Sequence, residues 1–151
     1  MCITFFLANS TGSGPYKLVV FFNRDEFLER PTEPAAWKPI KSGGDQVQVL
    51  AGRDLTTGRE GGTWLAVDQR GRVGMLTNIF TGTAPDKTAA GRGFLVMDYL
   101  AGDMSAPKYL EALSQSRKAY SPFNLVLMEP VLGPDGSVVT YRQGLDKPRF
   151  A

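Results

Sequence analysis

Residues 19–31, VVFFNRDEFLERP, decide how this chain is read. The stretch runs an apolar strand into Asn23, Arg24, Asp25 and Glu26, then returns to apolar Phe27 and Leu28. Four hydrogen-bonding groups in a row, at the end of a segment suited to burial, mark either a turn or a site.

Outward from this stretch, short apolar runs recur: CITFFLA (2–8), KLVVFFN (17–23), TWLAV (63–67), VGMLTNIF (73–80), FNLVLME (123–129) and SVVTYR (137–142). Their length and enrichment in β-branched and aromatic residues predict strands. Most are near-continuous rather than alternating, which predicts cover on both faces. Gly12 and Gly14 follow the first run, Gly58, Gly61 and Gly62 precede TWLAV, and Gly71 sits in DQRGR. These turn signals make the first two runs, and the middle two, hairpins. Residues 32–46, rich in Pro, Lys and Gly, read as a long surface loop.

Two helices are predicted. The first starts near Gly91-Arg92-Gly93, carries Phe94, Met97, Leu100 and Ala101 at helical spacing, and stops at Gly102. The second is capped by Ser105, with Pro107 in its first turn, Tyr109, Leu110 and Leu113 on one face, and Arg117 and Lys118 at its cationic end. Strands, then helices, then strands give an α+β class. After SVVTYR the chain reads as trailing off without a closing element, leaving a bare sheet edge.

Composition narrows the chemistry. The 151 residues fit one domain. Seventeen basic against fifteen acidic residues, without a Lys/Arg run, offer nothing to a nucleic-acid backbone. No apolar run has the roughly 18 residues of a spanning helix, so no transmembrane segment is expected. The N-terminus lacks the positive region of a signal peptide, and one cysteine makes no internal disulfide, which favours a reducing compartment. Histidine is absent, and with it every Ser-His-Asp triad, Cys-His dyad, His-ligated zinc and proximal-His haem.

Cys2 is the strong nucleophile that remains. Removal of Met1 would put its thiol beside a free α-amine, which titrates near neutrality and can accept the thiol proton. A second strand lying against the first would bring Arg24 to the thiolate and Asp25 to the amine. Asn78 in LTNIF and Asn124 in PFNLV are candidate oxyanion donors. The same residues have ordinary readings: Cys2 as a small apolar residue, Asn23 to Glu26 as a turn, and Arg24 paired with Glu29 or Asp54 at the surface. Asp25 and Glu26, adjacent on a strand, face opposite sides and make a poor acid/base pair. The glycines of GREGGTWLAV serve a tight hairpin or a ligand, with the hairpin the default. TGTAPDKT (81–88) has Thr81 and Asp86 where a phosphate loop needs glycines and is rejected as one. Arg92, at a helix start, could meet an anion.

Taken in order and spacing, MCI with Cys2 second, NRDEFLERP, EGGTWLAV, LTNIF, GRG and FNL resemble the NRDE family, which takes in the transport and Golgi organization protein 2 homologs. The likeness runs from Met1 to about Arg142. It implies an αββα sandwich similar to N-terminal nucleophile hydrolases, with Cys2 at the nucleophile position, Arg24 and Asp25 as its supporting pair, and Asn78 and Asn124 matching less closely. It further implies a role in Golgi organisation and protein secretion, lipid homeostasis and haem trafficking, in cytoplasm, Golgi or mitochondria, without a settled enzymatic activity or a resident cofactor. A lipid or haem cargo and secretory-pathway proteins are the implied partners. Family members are longer, so residues 1–151 read as a single domain lacking its C-terminal half, an incomplete sandwich. The expectations are therefore three: a noncatalytic intracellular factor, an N-terminal-cysteine amidohydrolase, or an inactive truncated isoform or fragment.

Overall fold

The computed structural model describes residues 2–9, 14–80, 82, 89–116 and 120–146. Two strands, β1 (Ile3–Ala8) and β2 (Leu18–Asn23), pair antiparallel as a hairpin with Phe5 opposite Phe21. A second sheet is a six-stranded antiparallel array in the order β3 (Thr32–Ser42), β4 (Asp45–Asp54), β5 (Leu65–Asp68), β6 (Val73–Asn78), β7 (Phe123–Leu132), β8 (Val138–Asp146). Helices α1 (Phe94–Ala101) and α2 (Ala106–Gln115) lie between β6 and β7 in sequence. The class is α+β, with antiparallel sheets and two helices.

The six-stranded sheet buries both faces. Val49, Ala51, Ala66, Leu76, Leu125 and Leu127 meet Leu95, Val96, Leu100 and Leu110 of the helices. On the other face Val73, Met75, Val126 and Met128 receive Phe6, Leu18, Val20 and Phe22 of the hairpin. The layers are thus helices, large sheet, small sheet. Near-continuous apolar runs mean two covered faces in β6 and β7, as expected of such strands. The first two strands differ: β1 alternates exposed and half-buried residues, and Phe5, Leu7 and Phe21 point outward.

Residues 32–46 are not a surface loop. They form β3 and the start of β4, joined by a tight turn in which Ser42 pairs with Asp45 and Gly43 has φ 58°. Pro34 and Pro39 mislead because proline is excluded from central strands but tolerated at an edge, where β3 lies. The register shifts between Glu33 and Ala36, beside Pro34. The trailing end is also corrected: β8 continues through residues 143–146, pairing Leu125 with Asp146.

Both helices match their predicted spans, and each is held by something outside its own sequence. Ser105 stands at the N-cap of α2, but its side chain makes no capping bond; Glu129 of β7 instead accepts the Ala106 N–H at 3.2 Å. The C-terminal carbonyls of α1 are served by the β5–β6 turn. Arg72 donates to the carbonyls of Tyr99, Gly102 and Met104 and stacks 4.0 Å from the Tyr99 ring. Arg70 donates to the Leu100 carbonyl while the buried Asp68 carboxylate accepts its Nε–H at 2.8 Å. At the opposite side of α1, Gly74 of β6 lies under Val96 with no space for a side chain. The strap holds the C-terminal end of α1, and the close approach sets the distance of the helix from β6. Arg117 and Lys118, Gly12, and most of the rejected phosphate-loop segment fall outside the described residues.

Candidate functional site

The strand of the opening stretch ends at Asn23, and residues 24–31 run as a loop along one side of a cleft of about 540 Å³. A cavity of that size lies in the range of small-molecule sites. The opposite walls come from residues 54–64, from the end of β6, and from the Gly91-Arg92-Gly93 segment that leads into α1. Cys2, Arg24, Asp25 and Asn78 all border this cleft, although they come from three separate places in the sequence. The fifth candidate does not. Asn124 is paired with Thr77 and its amide donates to the Thr77 hydroxyl at 3.1 Å, on the sheet face opposite to that of neighbouring Leu76 and Asn78.

Antiparallel pairing of β1 and β2, with Ile3 opposite Asn23, is what brings Cys2 to the loop. The thiol is half-buried and points at the Asp25 backbone carbonyl, 4.0 Å away. Burial pushes the Cys2 thiol up, with Glu26 adding to the rise, against smaller lowering by the amino terminus and Arg24. The resting sulfur is therefore a protonated thiol rather than a standing thiolate. Arg24 is stacked on Trp64, its guanidinium carbon 4.0 Å from the ring centroid, and its Nη2 is buried without a hydrogen bond. It pairs with neither Glu29 nor Asp54. Asp54 is instead bonded to Arg30, which also bonds Glu26 at 2.6 Å. That network ties the loop to the end of β4. Asp25 is exposed and Glu26 half-buried, and both follow the strand rather than lying on it.

The two glycine motifs meet here. Asp54 exchanges backbone bonds with Gly61 and Gly62, closing residues 54–62 into a tight loop in which Gly58 and Gly61 take positive φ. The Thr63 N–H then donates to the Gly93 carbonyl at 3.1 Å. A Cβ on Gly93 would sit 3.1 Å from the Thr63 nitrogen, and one on Gly62 only 3.4 Å from the Gly93 Cα. The glycines let two backbones cross at the cleft wall. The hairpin reading of GREGGTW thus accounts for Gly58 and Gly61, while Gly62 answers to the crossing.

The family model described as Transport and Golgi organisation 2 matches residues 1–146. The chain belongs to that family. It is 36% identical to the Transport and Golgi organization protein 2 homolog of Bos taurus over 143 residues, 93% of this chain and 49% of the relative. It is 35% identical to the Homo sapiens homolog over the same length, and 41% identical to Transport and Golgi organization protein 2 of Drosophila melanogaster over 137 residues. The chain spans about half the length of these curated relatives.

In this member of the Transport and Golgi organisation 2 family, sequence reasoning missed the residues that give the cleft its character. Trp64 carries the Arg24 guanidinium, Arg30 ties the loop down, and Arg59 lies across Gly91. Phe27, Pro31, Leu76 and Phe94 make much of the remaining wall apolar. Trp64 and Arg30 stand inside the quoted motifs TWLAV and ERP, but as single letters they look like core and surface. Among the described residues no group of three His, Cys, Asp or Glu side chains could hold a metal ion, and no helix is long and apolar enough to cross a membrane.

Proposed function

We propose that this chain binds an amphipathic small molecule in the Cys2 cleft and thereby serves Golgi organisation and protein secretion as a noncatalytic factor. The observation that carries the reading is the cleft itself: about 540 Å³, with an apolar wall of Trp64, Leu76 and Phe94 facing the charged Arg24 to Arg30 loop. Such a wall suits a ligand with an apolar body and a polar head. Lipid homeostasis and haem trafficking are the cargo classes in keeping with it. A haem would have to take its axial ligand from Cys2, a tyrosine or a methionine, as the chain has no histidine. The relatives' names speak of transport and Golgi organisation, which supports the cellular setting. Association with cytoplasm, Golgi or mitochondria belongs to the same proposal. The test is rescue of cells lacking their own homolog. The chain should restore Golgi morphology and cargo secretion, and Trp64→Ala, which removes the platform under Arg24, should not. Equal rescue by the variant would overturn a role for the cleft.

A second reading is favoured by the convergence of Cys2, Arg24, Asp25 and Asn78 on that one cleft. With Met1 removed, the α-amine would take the thiol proton as Cys2 attacked an amide carbonyl, and Asn78 would donate to the resulting oxyanion. The helix-and-two-sheet layering is compatible with the αββα architecture of N-terminal nucleophile hydrolases. The raised thiol means that such an enzyme would need the amine, not Arg24 alone, to form its thiolate. Mass spectrometry of the mature terminus tests this directly: a retained Met1 blocks the amine and ends the reading.

A further inference from the structure

We propose that Arg59 and Arg92 form an anion subsite in the cleft, which takes the carboxylate or phosphate head of its ligand. This rests on the cleft being a ligand site and specifies the class of head group. Arg30, Arg59 and Arg92 all line the cleft, and Arg92 lies within reach of the positive charge of the other two. Arg30 is neutralised by Asp54 and Glu26. The other two are not. Arg92 donates one nitrogen to the Pro122 carbonyl at 2.8 Å, a neutral acceptor, and among the described residues neither Arg59 nor Arg92 has a carboxylate partner.

Their placement is built rather than incidental. The Arg59 side chain packs over Gly91, its Cδ 3.5 Å from where a Cβ would stand, which brings it beside the segment that carries Arg92. Arg92 is held by its bond to Pro122 at the entry to α1. Burial lowers the Arg92 pKa, and the positive charges of Arg59 and Arg30 lower it further. Like charges gathered in a partly desolvated wall are unfavourable until an anion meets them, and a guanidinium fork matches a carboxylate or phosphate in shape as well as in charge. The apolar wall beside them places the body of an amphipathic ligand next to its head.

The chain's single cysteine lies in the same cleft and serves as a reporter. Iodoacetate and iodoacetamide alkylate a thiol by the same displacement and differ in carrying a carboxylate or a neutral amide, so the ratio of their rates cancels thiol reactivity. The ratio for Cys2 should exceed that of N-acetylcysteine, and Arg59→Gln should lower it about twofold to threefold, the effect of one charge across a cleft rather than in contact. Lys41→Gln, the same charge change on an exposed residue of β3 outside the cleft, should leave it unaltered. An unchanged ratio in Arg59→Gln, or an equal fall in both variants, would overturn the subsite. Wild-type protein gives an independent reading if Arg59→Gln fails to fold. Inorganic phosphate or acetate should suppress the iodoacetate rate more than chloride at equal ionic strength. Stronger suppression by phosphate assigns a phosphate head, and stronger suppression by acetate a carboxylate; suppression no greater than chloride's overturns the subsite. Failure of both reagents to reach Cys2 would instead count against an open cleft, so the two readings fail separately.

Discussion

Substituting Gly74 by alanine tests the contact that sets the distance between α1 and the sheet. Gly74 lies in β6, buried, opposite Ala66 and Leu127 on its neighbouring strands. A Cβ there would come 2.7 Å from Val96 Cγ1, inside any stable carbon–carbon separation, while its other neighbours stand at an ordinary 3.5 Å. Val96 is fully buried, so it has nowhere to retreat without moving the helix. Overpacking of this kind costs about 1–3 kcal/mol. Replacing glycine in a strand returns about 0.5–1 kcal/mol by restricting the unfolded chain. The net expectation for Gly74→Ala is a loss of about 0.5–2 kcal/mol, read as a lower urea midpoint at constant slope. In a Val96→Ala background the clashing methyl is gone and only the gain remains. There the same substitution should stabilise by about 0.5–1 kcal/mol. The sign inversion is the signature, and it amounts to a coupling of about 1–3 kcal/mol in a double-mutant cycle. Equal destabilisation in both backgrounds would refute the argument, since the cost would then lie in the strand and not between strand and helix.

Other consequences follow from the strap, the ion pair and the hairpin. Arg72→Ala leaves the carbonyls of Tyr99, Gly102 and Met104 without their donor and should cost about 3 kcal/mol in urea unfolding, with Arg72→Lys recovering only part, because an ammonium cannot serve three carbonyls and stack on Tyr99. Near-wild-type stability of Arg72→Ala would show that water replaces the guanidinium. Burial alone would raise the Asp54 carboxyl, but the bonds from Arg30 and Thr56 outweigh it and hold it below its ordinary value. A depressed acid stabilises the fold above its unfolded pKa of about 4 and loses that contribution as pH falls through the folded value. The urea midpoints of wild type and Asp54→Asn should therefore converge as the medium is acidified below about pH 4, and a gap independent of pH would contradict the pairing. The outward face of the hairpin carries Phe5, Leu7 and Phe21, each about two-thirds exposed. A contiguous apolar face of this kind should bind anilinonaphthalene sulfonate, and serine at all three positions should lower the fluorescence with little change in the urea midpoint; unaltered fluorescence would place the dye elsewhere.

The elements that could be read from the sequence are those whose signal is local. Both helices fell on their predicted spans because Gly91 to Gly93 and Ser105 to Pro107 punctuate them, and the β1–β2 and β5–β6 hairpins because glycines separate two apolar runs. The β3–β4 hairpin was hidden by composition. Its prolines and lysines are what an edge strand tolerates, and whether a strand lies at an edge is a property of the sheet, not of the strand. The supports of the helices were hidden for the same reason. Glu129 and Arg72 act on α2 and α1 from distant strands, so no window around either helix contains the group that holds it.

The candidate site divides along the same line. Arg24 and Asp25 could be singled out because four polar groups interrupt an apolar run, yet the sequence could not say what Arg24 touches. The ordinary reading, a surface pair with Glu29 or Asp54, does not hold, and for Asp54 the reason is physical: Arg30 takes that carboxylate together with Glu26. Arg24 instead lies on the Trp64 face, where its Nη2 is buried without a hydrogen-bond partner. Residues 24–30 therefore serve two ends. Glu26 and Arg30 hold the loop as a turn is held, by bonds to its own base and to the end of β4. That anchoring is what leaves Arg24, half-buried on an aromatic ring, unneutralised beside the Cys2 sulfur. Arg30→Met would release Glu26 and Asp54 as acceptors for Arg24 and so should lower the ratio of iodoacetate to iodoacetamide alkylation at Cys2 without any substitution at Arg24 itself; an unchanged ratio would show that the freed acids stay out of the cleft.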